Sequence, residues 1–318
     1  MSDVHIEQLT VLGQRGTMVA PLDAHIPAGS TLAIIGESGS GKTLTATSLV
    51  GLLPRGFHAQ GSMRIGETLV DLSGTARAWR SVRGATASLL LQDPFTSLSP
   101  VHRCGDQIAW TLRETPGRLR RAAVADLLGE VKLGPHVAAA YPHQLSGGMR
   151  QRVAIAAALA ANPRLLIADE PTTALDASNQ ADVLDLIRSI QISRRLSVLL
   201  ISHDLGLIRG RTDEVLVMRD GVVVERGQTR TVLSAPQHPY TRALLDSVPR
   251  IGVTARARLP AIRGMVPHPL ARPSGCTFRT RCDHFMQGFC DLREPLLKPH
   301  GPGQVACFLH EEEAHANV

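Results

Sequence analysis

One segment, residues 36–43, constrains the fold of this chain most, and it reads Gly-Glu-Ser-Gly-Ser-Gly-Lys-Thr. It follows the short β-branched run 31–35 and precedes an apolar stretch, residues 44–53, that predicts a helix closed by Pro54. A glycine-rich turn between a buried strand and a helix presents backbone N–H groups and a helix N-terminus to phosphate oxygens. The sequence therefore predicts an α/β fold in which this segment is a phosphate loop.

The residue types of the phosphate loop suit a nucleoside triphosphate, ATP or GTP, with Mg²⁺. Its glycines let the backbone wrap closely around phosphate oxygens. Lys42 can reach the β- and γ-phosphates, and the hydroxyl of Thr43 can ligate Mg²⁺. The loop residues expected to bind the nucleotide are Gly36, Glu37, Ser38, Gly39, Ser40, Gly41, Lys42 and Thr43.

A second motif, Asp169-Glu170, ends the apolar run 165–168. We expect Asp169 to enter the Mg²⁺ shell and Glu170 to polarise the attacking water. An acidic pair after a strand is by itself common at solvated strand ends. Its functional interpretation depends on the phosphate loop in the same chain.

Two further polar residues follow apolar strands. His203, after the run 198–201, is expected to contact the γ-phosphate and to hold Glu170 in place. Gln92, after the run 88–91, is expected to sense Mg²⁺ or water. The predicted catalytic residues are thus Glu170, His203 and Gln92, and the predicted Mg²⁺ residues are Thr43, Gln92 and Asp169.

Residues 145–152, Leu-Ser-Gly-Gly-Met-Arg-Gln-Arg, place a serine and two glycines at the start of a long helix. The hydroxyl, the bare backbone and the helix N-terminus make a second anion site of Ser146, Gly147 and Gly148. One chain has no use for two sites on one γ-phosphate, so we expect a second chain to complete each site. A capped helix with a glycine turn is the alternative interpretation.

The order of these motifs resembles the ATPase subunits of ABC transporters over residues 1 to about 250. The resemblance rests on the phosphate loop, Gln92, the signature segment at 145–148, Asp169-Glu170, a D-loop at 174–176 and His203. It implies a phosphate-loop NTPase core with an antiparallel β subdomain and a helical insertion subdomain. It also implies a dimer in which the signature segment of each chain closes on the ATP of the other.

Changes of pattern along the chain predict the domain boundaries. Residues 1–92 and 146–231 are expected to form the ABC ATPase core, since strand and helix signals alternate there. Residues 93–145 lack strand signals and predict a helical subdomain, with helices at 106–114, 118–131 and 136–141. Pro, His, Arg and Cys become frequent after residue 232, which predicts an irregular, Cys-containing C-terminal extension over 232–318.

The expected adenine site departs from the family. Its members usually stack the base on an aromatic residue of the first hairpin, whereas residues 1–35 contain no Phe, Tyr or Trp. By its spacing from Lys42, the corresponding position lies near Gly13. Met18, Val19 or a residue of a partner chain are the candidates for apolar contact with the base.

Three segments, residues 92–100, 238–245 and 275–282, resemble the peptide and nickel importer branch of the family. That branch implies import of di- or oligopeptides by a complex. Its other members would be a second, related ATPase subunit, two transmembrane permease subunits and an extracytoplasmic substrate-binding protein. Import of nickel or a metal chelate is the alternative within the family. A soluble ABC ATPase of DNA repair or translation is the alternative of another class, although this sequence carries no long coiled-coil or tandem-ATPase insertion.

Four of the five cysteines lie close together in the sequence: Cys276, Cys282, Cys290 and Cys307. In a chain without a visible signal peptide, such a group favours a metal or cluster site over disulfides. The spacing does not fit paired C-x₂-C zinc knuckles and is compatible with a [4Fe–4S] cluster, which the resemblance to peptide-transporter ATPases also implies. Zinc and free buried thiols remain alternatives, as do structural and redox-sensing roles, and Cys104 is interpreted as incidental.

Composition favours a cytoplasmic protein that works at a membrane through partners. The formal net charge of +6 is spread over short Arg clusters and aromatic residues make up 3%, which argues against a nucleic-acid surface. The longest apolar runs are far shorter than the about 20 residues that cross a bilayer. We therefore expect a peripheral subunit on the cytoplasmic face of the inner membrane.

Overall fold

The computed structural model describes residues 2–14, 16–93, 97–112, 115–173, 175–248, 262 and 272–311. The strands are β1 (Val4–Gly13), β2 (Gly16–Ile26), β3 (Thr31–Ile35), β4 (His58–Ile65), β5 (Thr68–Asp71), β6 (Ala87–Leu90), β7 (Leu165–Asp169), β8 (Ser197–Ser202), β9 (Glu214–Arg219), β10 (Val222–Gln228), β11 (Lys298–His300) and β12 (Gly303–Val305). The helices are α1 (Lys42–Ser48), α2 (Ala76–Val82), α3 (Cys104–Ala109), α4 (Gly117–Glu130), α5 (Gly147–Leu159), α6 (Ala177–Arg194), α7 (Leu205–Ile208), α8 (Thr229–Ser234) and α9 (Pro239–Asp246).

The strands of this part of the chain form two sheets. An antiparallel sheet has the order β2-β1-β4-β5, and a larger mixed sheet has the order β11-β12-β10-β9-β3-β8-β7-β6. The centre of the larger sheet is parallel, because β3 pairs in parallel with both β8 and β9, and β7 pairs in parallel with β6 and β8. Parallel strands bring their carboxyl ends to one edge, where ligands bind in open α/β sheets.

The central strands are buried on both faces, as their continuous apolar character predicts. Along β3, Ala33 and Ile35 pack into a core shared with the helices, whereas Leu32 and Ile34 pack into a core shared with the antiparallel sheet. The same alternation runs through β7, β8 and β9. The large sheet therefore separates two cores, and the phosphate loop leaves it from the middle strand.

Helix α1 begins and ends earlier than the predicted helix over 44–53. It spans Lys42–Ser48, so it includes the lysine and threonine of the phosphate loop. The chain then turns at Gly51, whose φ of 60° is left-handed, and the Leu52 N–H bonds to the Thr47 carbonyl. A glycine in this conformation is a usual end of a helix, and the predicted boundary missed it.

The region between β6 and α5 is helical, with one prediction wrong. Helix α4 matches the predicted segment 118–131 to within one residue. Helix α3 begins two residues before the predicted segment 106–114 and ends at Ala109, where a 3₁₀ turn over Trp110–Leu112 follows; residues 113 and 114 lie outside the described part. The predicted helix at 136–141 is instead a 3₁₀ turn over Pro135–Ala139. Tyr141 is extended because Pro142 follows it, and a residue before proline avoids the helical region.

The C-terminal extension is less irregular than its composition predicts. It contains α9, and its strands β11 and β12 join the large sheet because β12 pairs antiparallel with β10. Glu225 lies opposite Val305 in this pairing, and Arg226 lies opposite Gln304. The extension is thus continuous with the sheet that carries the phosphate loop.

Candidate nucleotide site

The phosphate loop leaves β3 and wraps around its own lysine. Lys42 is 5% exposed, and its Nζ donates to the carbonyl oxygens of Gly36 and Glu37, both at 2.9 Å. A Cβ at Gly36 would lie 2.1 Å from the carbonyl oxygen of Met218, so the loop passes too close to β9 for any side chain. Burial lowers the pKa of Lys42, and the nearby carboxylates of Glu170, Asp169 and Glu37 oppose that shift.

The two residues predicted to ligate Mg²⁺ from the loop and from β7 lie together. The hydroxyl of Thr43 donates to Oδ1 of Asp169 over 3.2 Å. Asp169 is 3% exposed, and burial raises its pKa while the Thr43 hydrogen bond opposes the shift. A hydroxyl and a buried carboxylate are oxygen ligands of the kind that Mg²⁺ takes beside substrate phosphates, so these residues fit the ion.

Glu170 is the centre of the predicted catalytic group. Its carboxylate oxygen Oε2 lies 3.0 Å from Nε2 of Gln92 and 3.1 Å from Nδ1 of His203. The hydroxyl of Thr173 donates to the same oxygen at 3.0 Å, a contact that no sequence motif predicts. Glu170 has a φ of 45°, a conformation that non-glycine residues adopt rarely and that is typical of functional sites.

These side chains open on one cavity of about 550 Å³. Its described lining is Met18, Ser38, Gly39, Gly41, Lys42, Thr43, Leu44, Gln92, Glu170 and His203. Four of the predicted phosphate-loop and Mg²⁺ residues are not part of that lining: Gly36, Glu37, Ser40 and Asp169. The cavity therefore joins the phosphate loop to the carboxylate expected to activate water.

The signature segment is not part of this lining. Ser146 caps α5 by accepting a hydrogen bond from the Met149 N–H at 3.4 Å, and Gly147 and Gly148 form the first positions of that helix. Ser146 is exposed, whereas Gly148 is buried against Asn179. An exposed serine at a helix N-terminus is available to an anion held by another chain.

Comparisons with known proteins agree with this arrangement. The ABC transporter family matches residues 19–173, and the family described as "Oligopeptide/dipeptide transporter, C-terminal region" matches residues 224–290. The oligopeptide transport ATP-binding protein AppD of Bacillus subtilis is 42% identical over 302 residues, which cover 92% of this chain and 90% of that protein. The chain belongs to the ABC transporter family.

Further relatives of this ABC ATPase have similar descriptions. The oligopeptide transport ATP-binding protein OppD of Salmonella typhimurium is 41% identical, covering 93% of this chain and 89% of its own. The dipeptide transport ATP-binding protein DppD of Haemophilus influenzae is 36% identical, covering 96% and 95%. A solved dimer of the ATP-binding cassette MJ0796 with ADP and Pi has the same fold, with a TM-score of 0.63 at 24% identity over 71% of this chain and 99% of that chain.

No helix among the described residues of this ABC ATPase is long and apolar enough to cross a bilayer.

The D-loop lies partly outside the described residues, because Ala174 is not among them. Its described end, Asp176, caps α6 by accepting a hydrogen bond from the Asn179 N–H at 3.0 Å. Leu175 lies 3.6 Å from the position that a Cβ on Gly147 would take, so the D-loop and the signature segment are neighbours.

The region of the missing hairpin aromatic is filled by other apolar side chains. A Cβ at Gly13 would lie 3.0 Å from Cγ of Met18 and 3.3 Å from the ring of Phe57. Met18 lines the nucleotide cavity, whereas Val19 is fully buried in the core. Of the two apolar candidates for contact with the base, Met18 is therefore the one that faces the cavity.

The four C-terminal cysteines of this ABC ATPase lie near one another. Cys276 and Cys290 are buried, Cys282 and Cys307 are half-buried, and the Cys276 N–H donates to the Cys290 carbonyl at 2.8 Å. Burial, together with the other thiols, raises the pKa of Cys282 to about 11 and that of Cys307 to about 12. No three of these described sulfurs lie within 4.8 Å of one another. Cys104 is fully buried and takes no part in this group.

Proposed function

We propose that this chain is the ATP-hydrolysing subunit of an ABC importer for di- and oligopeptides. The observation that carries the proposal is the match of residues 224–290 to the C-terminal region of oligopeptide/dipeptide transporters, in a chain that also has the ABC ATPase motifs. The relatives described above are named for peptide transport, and this chain aligns with nearly the whole length of each. They support peptide cargo over nickel or a metal chelate, and a transporter over a soluble ABC ATPase of DNA repair or translation.

We propose the following roles for the residues of the nucleotide site. The phosphate loop and Lys42 bind the β- and γ-phosphates, and Thr43 and Asp169 hold Mg²⁺, which neutralises phosphate charge when bound. Glu170 accepts the proton of the attacking water. Gln92, Thr173 and His203 each hold the carboxylate of Glu170 from a different element.

The signature segment supports an active unit of two ATPase chains. Ser146 is exposed at a helix N-terminus and does not line the cavity of its own chain. A second ATPase subunit that presents its own signature segment would complete this cavity, while Ser146, Gly147 and Gly148 would complete the partner's. We propose that the partner is a related, non-identical chain.

The remaining partners and the location follow from the importer assignment. We propose two transmembrane permease subunits and an extracytoplasmic substrate-binding protein, with this chain bound to the cytoplasmic face of the inner membrane. The domains proposed for these tasks are the core, residues 1–92 and 146–231, the helical subdomain, 93–145, and the extension, 232–318. The helical subdomain follows Gln92, which contacts Glu170, so it is placed to transmit the state of the nucleotide site.

We further propose that the four C-terminal thiols hold a [4Fe–4S] cluster. Burial, with a smaller contribution from neighbouring thiols, raises the pKa of Cys276, Cys282 and Cys307, and a bound metal would compensate the charge of the thiolates. Iron and acid-labile sulfide in equal amounts in anaerobically purified protein would support the cluster, whereas stoichiometric zinc would reject it.

The test of the main proposal is uptake by the reconstituted complex. The chain is purified with its membrane subunits, incorporated into vesicles and supplied with the cognate binding protein and ATP. We expect ATP-dependent uptake of labelled peptides, and none with Glu170→Gln. Uptake of nickel or a metal chelate in place of peptide would overturn the peptide assignment and leave the ATPase assignment intact.

A further inference from the structure

Glu37, the second residue of the phosphate loop, is held by residues that lie outside the loop. Its backbone N–H donates to the hydroxyl oxygen of Tyr240 at 2.8 Å. Its carboxylate accepts two hydrogen bonds from Arg281, at 2.9 and 3.1 Å, and one from Arg219 at 3.0 Å. Tyr240 belongs to α9 and Arg281 to the Cys-containing part of the extension, so two of the three residues that hold Glu37 lie beyond residue 231.

These contacts are buried and have directional geometry. The side chains of Arg219 and Arg281 are 1% and 4% exposed, and that of Glu37 is 21% exposed. A guanidinium that meets both oxygens of a carboxylate fixes the orientation of the pair as well as its distance. Loss of Arg281 would leave Glu37 with Arg219 as its remaining arginine, and loss of a buried, charge-assisted contact is more costly than loss of a surface ion pair.

The thiol segment, residues 276–282, also holds Arg219. The Thr277 carbonyl accepts a hydrogen bond from Nε of Arg219 at 3.3 Å, and the Phe278 ring lies 4.9 Å from its guanidinium. The centre of the Tyr240 ring lies 5.0 Å from the same guanidinium. Both arginines that bind Glu37 therefore depend on a segment bounded by Cys276 and Cys282.

We propose that the thiol segment positions the phosphate loop through Arg281, Arg219 and Tyr240, so that the affinity for ATP depends on the fold of that segment. Glu37 and Arg281 are positioning residues, because neither lines the nucleotide cavity. They set the path of the backbone that carries Lys42 and the loop N–H groups. The inference rests on the proposed nucleotide site.

The test measures the dissociation constant of MgATP for the full-length chain, with thermal unfolding recorded in parallel. We expect Arg281→Met to raise that constant by about tenfold, because a buried, charge-assisted pair that orients the loop is lost. Arg281→Lys should recover part of the affinity by restoring one donor. Arg279→Met is the matched control: it removes the same charge two residues away, where the side chain bonds to Ser274, and we expect an unchanged constant.

A double-mutant cycle separates positioning from general stabilisation. Glu37→Gln and Arg281→Met should each weaken MgATP binding, and the double variant should bind no more weakly than the worse single variant, because both break one contact. Additive losses, or a lowered melting temperature with unchanged MgATP affinity, would overturn the inference. Lys42→Ala tests the nucleotide site itself: if it binds MgATP normally, the proposed site fails, whatever the Arg281 variants do.

Discussion

At the scale of single residues, the geometry around Glu170 predicts that its substitution affects ATP hydrolysis and not ATP binding. The carboxylate oxygen Oε2 is fixed by Gln92, Thr173 and His203, and the carboxylate is the group that we assign as the proton acceptor for water. We expect Glu170→Gln to reduce ATP hydrolysis by at least about 100-fold while MgATP binding is kept. Phosphate release and nucleotide retained through gel filtration measure the two effects.

The outcome that contradicts this role is ordinary turnover in the Gln variant. Thr173→Val is a useful comparison, because it removes one hydrogen bond to Glu170 and leaves the carboxylate in place. It should lower the turnover number much less than Glu170→Gln does. If both variants lowered the turnover number equally, the loss would reflect disturbance of the local structure and not removal of the carboxylate.

Met18 permits a second residue-scale prediction, on the base. It lines the nucleotide cavity beside Gly13, where the hairpin has no aromatic side chain. Truncation of a side chain that covers a base removes apolar contact, so Met18→Ala should weaken MgATP binding by about threefold to tenfold. The measurement is the dissociation constant of MgATP compared with that of Mg²⁺-bound inorganic triphosphate, which has no base and should be unaffected. An equal loss of affinity for both ligands would rule out contact between Met18 and the base.

At the scale of elements, the sequence predicted the strands better than the short helices. Continuous apolar runs identify β3, β7 and β8, because a strand that is buried on both faces needs apolar residues at nearly every position. The strands β11 and β12 have three residues each and no apolar alternation. They are strands because β12 pairs with the edge of β10 and β11 pairs with β12, and no local sequence pattern indicates that pairing.

The same contrast holds for the site. The positions of Gln92, Glu170 and His203 directly after apolar strands indicated a common site, because parallel strands end at one edge of the sheet. Thr173 and the arginines around Glu37 went unrecognised, since their contacts join segments that are distant in sequence or carry no pattern of their own. Long-range side-chain pairing is determined by packing, which a single sequence does not display.

The early end of α1 gives an element-scale prediction on stability. Gly51 has a left-handed φ of 60°, and a Cβ there would lie 2.3 Å from the ring of Trp79, which is 3% exposed. Gly51→Ala should therefore lower the free energy of unfolding by at least about 2 kcal/mol, from strain and overpacking together. Urea unfolding followed by circular dichroism measures the change.

The matched control is a glycine in an open helical position. Gly129 lies on the exposed side of α4, next to its last residue, and a Cβ there would meet no described atom within 4 Å. Gly129→Ala should raise the free energy of unfolding by about 0.5–1 kcal/mol, because alanine is the better helix former. A stability loss at Gly129 similar to that at Gly51 would contradict the packing explanation.

At the scale of the whole molecule, one sheet connects the nucleotide site to the C-terminal extension. The phosphate loop leaves β3, and β9, β10 and β12 follow in order toward the edge. Arg219, at the end of β9, contacts both Glu37 and the thiol segment. The extension is therefore attached to the ATPase core at its catalytic edge as well as at its sheet edge.

The other whole-molecule property is the division of labour between two chains. Gly147 is the first residue of α5, and among the described residues a Cβ there would come within 4 Å of Leu175 alone, at 3.6 Å. An aspartate at this position is favourable for the helix, because a negative charge near the N-terminus interacts well with the helix dipole. Its carboxylate would, however, repel a γ-phosphate held by the partner chain.

We therefore expect Gly147→Asp to leave thermal stability and MgATP binding of the isolated chain unchanged, while ATP hydrolysis by the assembled transporter falls by at least about tenfold. Gly147→Ala, which adds the Cβ without the charge, should keep most of the activity. A loss of MgATP binding by the isolated Asp variant would place the signature segment in its own chain's site. Full hydrolysis in the assembled Asp variant would leave α5 as a capped helix with no contact to phosphate, and the two-chain site would have to be abandoned.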